Sequence, residues 1–600
     1  MIKMQFQRGT AMKILLVAIN AKYIHSNLAV YSLKAYAEQY VLSAEALPCP
    51  VEIELGEYTI NHSCPKILGD IFEKKPDVVG FSCYIWNMEY VRQLLRDLPK
   101  VLPGVNIWLG GPEVSFCAEK FMEEFPYLEG VMRGEGERAF AGLVRCCARG
   151  QKRTSGGSFG WKEIPGIVWR DQESRIVSNP LEPAMNLSEI PFPYAQEWMK
   201  DLDFSHRMIY YESSRGCPFS CSYCLSSVDK QVRFRDLDLV FKELQFFLDR
   251  KVLQVKFVDR TFNAKRSHSA AIWNYLLAHD NGVTNFHFEI GADLLQEEDL
   301  DILKKMRPGL IQLEIGVQTA NPQTIQEIRR TMDIDVLERV VAGIKAGKNI
   351  HQHLDLIAGL PYEDLESFRS SFDRVYKMHP DQLQLGFLKV LQGSWMEECK
   401  EDYGLSFTAL PPYEVLGTKW LSYSDIRQLK AVEEMVEIYY NSGQFVWTMK
   451  CLEGLFSRPA EIFEALAGWY KQEGLSEVNH SRQTRYAVLF AFIVQHFPKE
   501  TERFRDSLTV DLYLREKVKT RPDFARDLRP YREEIRKIYQ KEERERRYLP
   551  DYTGFDSRQM ERITHLEVLE DGRMLLFDYR NRDPLSYNAR VVLYRGEKKQ

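Results

Sequence analysis

No stretch of the chain approaches the roughly twenty consecutive apolar residues that a bilayer-crossing helix needs. Charge of one sign is not in excess: 80 basic against 85 acidic side chains leave a net charge of -5 over 600 residues. So weak a field argues against bulk electrostatic capture of nucleic acid, and no aromatic–basic module replaces it. Cysteine is sparse, 11 residues, without the spacing of a disulfide framework, which points to a reducing cytoplasm. Internal repeats and long low-complexity segments are missing. No Gly-x-Gly-x-x-Gly follows the first apolar strand, which disfavours a dinucleotide. The opening MIKMQFQRGTAMKILLVAIN sets basic residues before an apolar run. Ile14 to Ile19 is too short for a secretion signal and no small-residue cleavage site follows, so it reads as a buried strand behind an extension, residues 1–12.

What the chain does have is Ser213 to Leu225, SSRGCPFSCSYCL. Cys217, Cys221 and Cys224 stand at Cys-x3-Cys-x2-Cys on one short loop, and three thiolates so placed can hold three irons of a [4Fe–4S] cluster. No fourth cysteine lies in the loop, so the fourth iron stays open to another ligand. A structural zinc site is the rival, but zinc takes four protein ligands and the other cysteines offer no partner pair. The loop, with Tyr223 before its third cysteine, resembles the signature of the radical S-adenosylmethionine (SAM) enzymes. That resemblance implies SAM on the open iron and reductive cleavage to a 5′-deoxyadenosyl radical.

Residues 13–145 alternate short apolar runs (KILLVAI, VEIELGEY, DVVGFSCY, NIWLGG, GVMRGEG) with amphipathic stretches such as Leu28 to Tyr40 and Met88 to Leu98. This predicts a doubly wound, Rossmann-like α/β domain, whose ligand lies at the carboxyl ends of the strands. The informative loops there are Asn20 to Asn27, Ser82 to Asn87, GGPEVS and GEGE. Their order resembles the cobalamin-binding domain that precedes many radical SAM enzymes. The resemblance implies that Asn20, Ser26, Asn27, Ser82, Gly110, Gly111, Pro112, Glu113 and Glu135 line a cobalamin. The Asp-x-His-x-x-Gly motif is absent, so no histidine from it is expected on cobalt, and His25 reads as a loop histidine.

Residues 146–205 form a connector: a polar loop at Gln151 to Gly160, a small hairpin from IPGIVWR and RIVSNP, and a proline-punctuated tail. Residues 206–395 repeat strand and helix through MIYYESS, VLQVKFVD, HFEIGAD, LIQLEIGVQ, HLDLIAGL and LQLGFLKV. Six strands with helical spacers predict a partial (β/α)6 barrel of TIM type, with chemistry at the carboxyl strand ends. Asp259, Glu289 with Asp293, Glu314, Gln318 and Asp355 read as strand-end residues. By resemblance Tyr223 contacts SAM, Asp259 meets its amino group, Gln318 and Gly359 line its adenosine and ribose, and Arg330, with Arg329 as an equal rival, meets its carboxylate. Glu289 and Glu314 are the catalytic candidates, as substrate ligands, a ribose contact or a pair sharing a proton. His351 and His353 share a strand face but lack acidic or cysteine company in sequence, so strand filling is preferred over a metal site. Lys389 is a candidate for the barrel mouth.

Residues 396–600 read as a mainly helical domain ending in a β-hairpin at EDGR. Trp395, Tyr413, Trp420, Tyr439, Tyr440, Phe445 and Trp447 divide between core and barrel mouth. The region resembles the uncharacterised helical domain of one bacterial subgroup of cobalamin-dependent radical enzymes. The whole reads as a cobalamin-dependent radical SAM methyltransferase acting on an unactivated carbon. Its cofactors would be a [4Fe–4S] cluster, SAM and cobalamin, and its electron donor a flavodoxin or ferredoxin. A rearrangement or ring-contraction enzyme, and a cluster-only redox or RNA-binding protein, are the alternatives.

Overall fold

A computed structural model describes residues 11–149, 160–171, 173–476 and 478–595. Most of the expected extension and of the Gln151 to Gly160 loop lies outside the described residues. The chain divides into two compact units. The first comprises the described parts of Met1–Leu313, Ile325–Asp333 and Phe387–Lys419; the second comprises those of Glu314–Thr324, Ile334–Gly386 and Trp420–Gln600.

The first unit opens with β1 (Met12–Asn20), β2 (Val51–Thr59), β3 (Val78–Ser82), β4 (Asn106–Gly110) and β5 (Gly130–Met132). All pairs among them are parallel, and β1 is buried along nearly its whole length, as a central parallel strand covered on both faces should be. Helix Met88–Val101 buries Met88, Val91, Leu94, Leu95 and Leu98, an i, i+3, i+4 stripe that packs into the same core as Val79, Phe81 and Leu109. The strand order is β2-β1-β3-β4-β5, so the direction of winding reverses between β1 and β3. In open α/β sheets ligands bind at such a switch point, outside the carboxyl ends of the strands. The hairpin expected inside the connector is present and extends this sheet. β6 (Ile167–Arg170) pairs antiparallel with β5, and β7 (Ile176–Ser178) with β6, because IVWR is buried at every position and needs a sheet to cover it.

The second half of the first unit starts at β8 (Met208–Tyr211), which runs into β9 (Ser214–Arg215); β9 pairs antiparallel with β10 (Arg233–Phe234). β11 (Gln254–Phe257) lies parallel between β8 and β12 (Asn285–Ile290). β13 (Ile311–Gln318) begins in the first unit and ends in the second, where β14 (His351–Ala358) and β15 (Gln382–Phe387) follow it in sheet order. The six predicted strands are therefore present, with helices such as Leu237–Asp249, Arg266–Ala278, Ile334–Ala346 and Leu365–Tyr376 between them. Closure into a full barrel is not part of the fold described.

Beyond β15 a short antiparallel pair, β16 (Ser406–Phe407) and β17 (Val415–Gly417), belongs to the first unit. The second unit then continues, among the described residues, through five α-helices between Tyr423 and Arg515 and a charged helix, Arg532–Glu545. The hairpin at EDGR is joined by the strand ARVVLY: β18 (Thr564–Val568), β19 (Met574–Arg582) and β20 (Ala589–Tyr594) form a three-stranded antiparallel sheet. ARVVLY supplies the third strand because Ala589 and Val591 share a core with Val510 and Phe577. No helix among the described residues is long and apolar enough to cross a membrane.

Candidate active site

The cysteine loop is built by tying both of its ends down. Arg235 N donates to Ser213 O at 2.9 Å and Cys217 N to Asp229 O at 3.1 Å, while Ser222 N donates to Ile328 O and Met396 N to Ser222 O, each at 2.9 Å. Gly216 has φ +95, and a Cβ there would lie 2.6 Å from Gln231 O, so only glycine lets the chain turn tightly ahead of Cys217. Cys217 and Cys221 are buried, Cys224 is half-buried, and all three are free thiols. Burial raises the Cys221 thiol, opposed by the Arg330 guanidinium 3.9 Å from its sulfur. Arg330 also donates to the Tyr223 hydroxyl at 3.2 Å. Its rival Arg329 instead lies over the Trp395 ring, 3.8 Å from the centroid.

Asp259 departs from expectation. It is fully buried, and its carboxylate accepts from Ser213 N at 3.0 Å and from the Ser213 and Ser214 hydroxyls, each at 2.6 Å. Loss of solvation pushes it up to about 7, against the pull of those donors. Its neighbour Arg260 is exposed. Asp259 is thus the brace beneath the start of the cysteine loop, and the two serines were the signal that sequence reading passed over. Burial also pushes the His268 imidazole, 3.2 Å from Ser213 Oγ, down to about 4.

The remaining barrel residues separate. Glu289 pairs with Lys256 at 3.7 Å. Glu314 and Asp355 are not strand-end residues: β13 continues to Gln318 and β14 to Ala358, which leaves both mid-strand. They group with His353, so the acidic company that the histidine lacks in sequence is supplied by folding; His351 stays outside the group. Gln318 ends β13 with φ +71, rare for a side-chain-bearing residue, and its buried Oε1 has no hydrogen-bond partner among the described residues. Gly359 follows β14 with φ +93. Behind Gln318, Thr319 and Ser371 donate to the buried Glu363 at 2.6 and 2.9 Å, and burial pushes that carboxyl up to about 7.

In the first domain the expected loop residues gather at the strand ends. Asn20 Nδ2 donates to His25 O, Ser26 Oγ to Met208 O, and Asn27 Oδ1 accepts from Val30 N as a helix cap. At the switch point Trp86 Nε1 and Asn87 Nδ2 both donate to Ile19 O at 3.1 Å, and Asn87 also donates to Ser82 O. Trp86 is 42% exposed and stacks on Tyr84 at 4.4 Å, a flat aromatic platform not singled out from sequence. Gly110 ends β4, and Gly111, φ +115, passes so close that a Cβ would lie 2.4 Å from Cys83 O. Pro112 then opens a short turn of helix. Glu113 accepts from the Tyr413 hydroxyl at 2.5 Å, and burial raises its carboxyl.

Glu135 is engaged otherwise than expected. It accepts from Arg233 at 2.5 Å and from Met185 N at 3.1 Å, and lies 3.2 Å from Arg215. Arg215, two residues before Cys217, also bonds Glu137 at 2.9 Å and Glu212 at 2.7 Å. The GEGE motif is thereby ion-paired to both flanks of the cysteine loop. Lys389 pairs with Glu414 through an isolated bridge. Of the later aromatics, Tyr439 and Phe445 are core, Trp395 and Trp447 are exposed, Tyr440 donates to Pro380 O, and Trp420 packs on Tyr362.

Comparison with known proteins places these features. The B12 binding domain family matches residues 14–144, the Radical SAM superfamily residues 211–375, and a family described as a protein of unknown function, DUF4080, residues 401–588. The cobalamin-dependent radical SAM methyltransferase TokK of Streptomyces tokunonensis is 25% identical over 76% of this chain and 68% of its own. The 2-(S-pantetheinyl)-carbapenam-3-carboxylate methyltransferase of Streptantibioticus cattleyicolor is 28% identical over 49% of this chain, which spans only 44% of that relative. Among solved structures, the radical SAM methyltransferase TsrM from Kitasatospora setae, with cobalamin and [4Fe–4S] cluster bound, shares the fold at a TM-score of 0.52 and 16% identity, covering 67% of this chain and 79% of its own.

Proposed function

We propose that this chain, which joins a B12-binding domain to a radical SAM domain and is homologous to cobalamin-dependent radical SAM methyltransferases, transfers a methyl group to an unactivated carbon of its substrate. The observation that carries the reading is the ion-pair set from Glu135 and Glu137 to Arg215 and Arg233. It sets a loop of the B12-binding domain against the flanks of the cysteine loop within one compact unit. Two cofactors that act on one substrate need that proximity.

The residues present fit the groups. Three free thiols on one loop suit a cluster with an open iron. The close pass of Gly111 over Cys83, beside the exposed Trp86 ring, suits a broad flat ligand at the switch point. When bound, the cluster delivers an electron to SAM, and cobalamin supplies the methyl group. The chain's own share is positioning. Cys217, Cys221 and Cys224 hold iron, and Arg330, already placed beside Cys221 and Tyr223, is assigned to the SAM carboxylate. Gln318 offers its spare amide oxygen to the adenosine or ribose, and Gly359 leaves room beside it. Tyr223 orients Arg330, and Asp259 keeps Ser213 and Ser214 fixed beneath the loop. Asn20, Ser26, Asn27, Ser82, Gly110, Gly111, Pro112 and Glu113, with Tyr84 and Trp86, shape the cobalamin cavity. Glu135 is assigned to holding the two domains together. Electrons come from a flavodoxin or ferredoxin, in a reducing cytoplasm.

The test is anaerobic reconstitution with iron, sulfide and hydroxocobalamin, followed by reduction with SAM and a cell extract depleted of the protein. The expected outcome is retained cobalamin, 5′-deoxyadenosine, and a small molecule or polymer that gains a methyl label from SAM. A protein that retains no cobalamin overturns methyl transfer while leaving radical chemistry intact.

A further inference from the structure

The second unit carries a side-chain group to which the proposed function assigns no role. His353 and Asp355 are two residues apart on β14 and so point to one face, and Glu314 lies midway along the neighbouring β13. One imidazole nitrogen and two carboxylate oxygens, one from each residue, lie within 4.8 Å of one another. His353 Nε2 and Asp355 Oδ1 are 3.0 Å apart.

We propose that Glu314, His353 and Asp355 form a divalent-cation site, taking a first-row ion such as Mn²⁺ or Zn²⁺ through one imidazole and two carboxylates. The spacing fits. Donors held at about 2.0–2.2 Å from a shared ion are at most about 4.4 Å apart, so side-chain rotation alone completes the set. The charge fits as well. The His353 and Asp355 side chains are only 9% and 19% exposed, and Glu314 is half-buried beside them. A neutral imidazole and two carboxylates make a donor set of net charge minus two, which suits a dication. The donor set is nitrogen and oxygen, unlike the thiolates of the cysteine loop, so the two sites select different metals. The same face of β13 carries Gly316 next, which brings no side chain over Glu314. Three protein donors leave positions that water or a substrate oxygen fills.

The experiment titrates Mn²⁺ into the full chain with its cysteine loop already loaded with iron and sulfide, reading free Mn²⁺ by its solution paramagnetic resonance signal. One equivalent is expected to bind. Asp355→Asn and Glu314→Gln are expected to weaken it by about tenfold or more, and His353→Gln to abolish it. His351→Gln, on the same face but outside the group, is expected to leave it unchanged. A wild-type chain that leaves Mn²⁺ free, and also Zn²⁺ in a parallel equilibrium dialysis, overturns the proposal. So does a His351 variant as weak as the His353 variant. Retained cluster absorption certifies the fold of each variant. Should one fail that check, the wild-type stoichiometry decides: one equivalent supports the site and none refutes it. Binding is read without turnover, so failure here is separable from failure of methyl transfer.

Discussion

Asp259 shows how a single buried carboxylate holds up a reactive loop. Both oxygens are occupied by Ser213 and Ser214, so removing the side chain strands three donors in the interior. Asp259→Ala is expected to cost about 2–4 kcal/mol of stability and to lower iron content, since an unsatisfied buried donor costs about 1–3 kcal/mol. Denaturant melts paired with iron analysis read both effects. The cysteines behave differently. Cys217→Ala, Cys221→Ala or Cys224→Ala should each abolish the visible cluster absorption and 5′-deoxyadenosine formation, with a much smaller change in the melt. Equal destabilisation by the cysteine and Asp259 variants would argue that Asp259 is no special brace. At Arg330 the expected loss is in SAM binding: Arg330→Lys gives up the planar fork that a carboxylate accepts, so the SAM Kd should rise about tenfold with the cluster spectrum intact.

Helix Val446–Glu453 illustrates how elements in the second unit are held. No side chain of its own caps it; Asp511, from helix Thr501–Arg515, accepts from Trp447 N at 2.9 Å, Thr448 N at 2.8 Å and Thr448 Oγ1 at 2.7 Å. Burial pushes Asp511 up to about 7, above its ordinary 3.8. A carboxyl raised on folding binds more protons in the native than in the unfolded state between these two values. Stability therefore falls as pH rises from about 4 to about 7, by up to about 4 kcal/mol for this group. Thermal melts of the full chain should show a higher transition at pH 5.5 than at pH 8, and Asp511→Asn should flatten that dependence while lowering stability throughout. A wild-type transition that rises over the same interval would show that Asp511 is ionised without cost. Nothing in the local sequence near residue 446 announces this cap, because its donor and acceptor are more than sixty residues apart.

At the scale of the molecule the instructive feature is the ion-pair set around Arg215. Its guanidinium meets Glu137, Glu212 and Glu135, and burial would count against its charge were those carboxylates not there. Arg215→Met should destabilise the chain by about 3–5 kcal/mol, because it leaves acidic groups facing one another with no cation between them. It should also lower cobalamin retention more than Glu212→Gln does. Differential scanning calorimetry and cobalamin absorption after gel filtration measure the two; retention unchanged in Arg215→Met would separate the salt-bridge set from cofactor binding. Local pattern was enough to read the alternating strands of the first sheet, the six strands after Arg207 and the cysteine spacing. Each depends on side-chain periodicity or ligand chemistry within a few residues. Pairings between distant segments follow no such period. Glu135 read as a ligand-loop residue and is also ion-paired, Asp259 read as a SAM contact and is bonded to Ser213 and Ser214, and His353 looked alone and has Glu314 and Asp355 beside it. In each case the backbone path could be inferred from local sequence, but the partner of a charged group is set by whichever segments the core brings together.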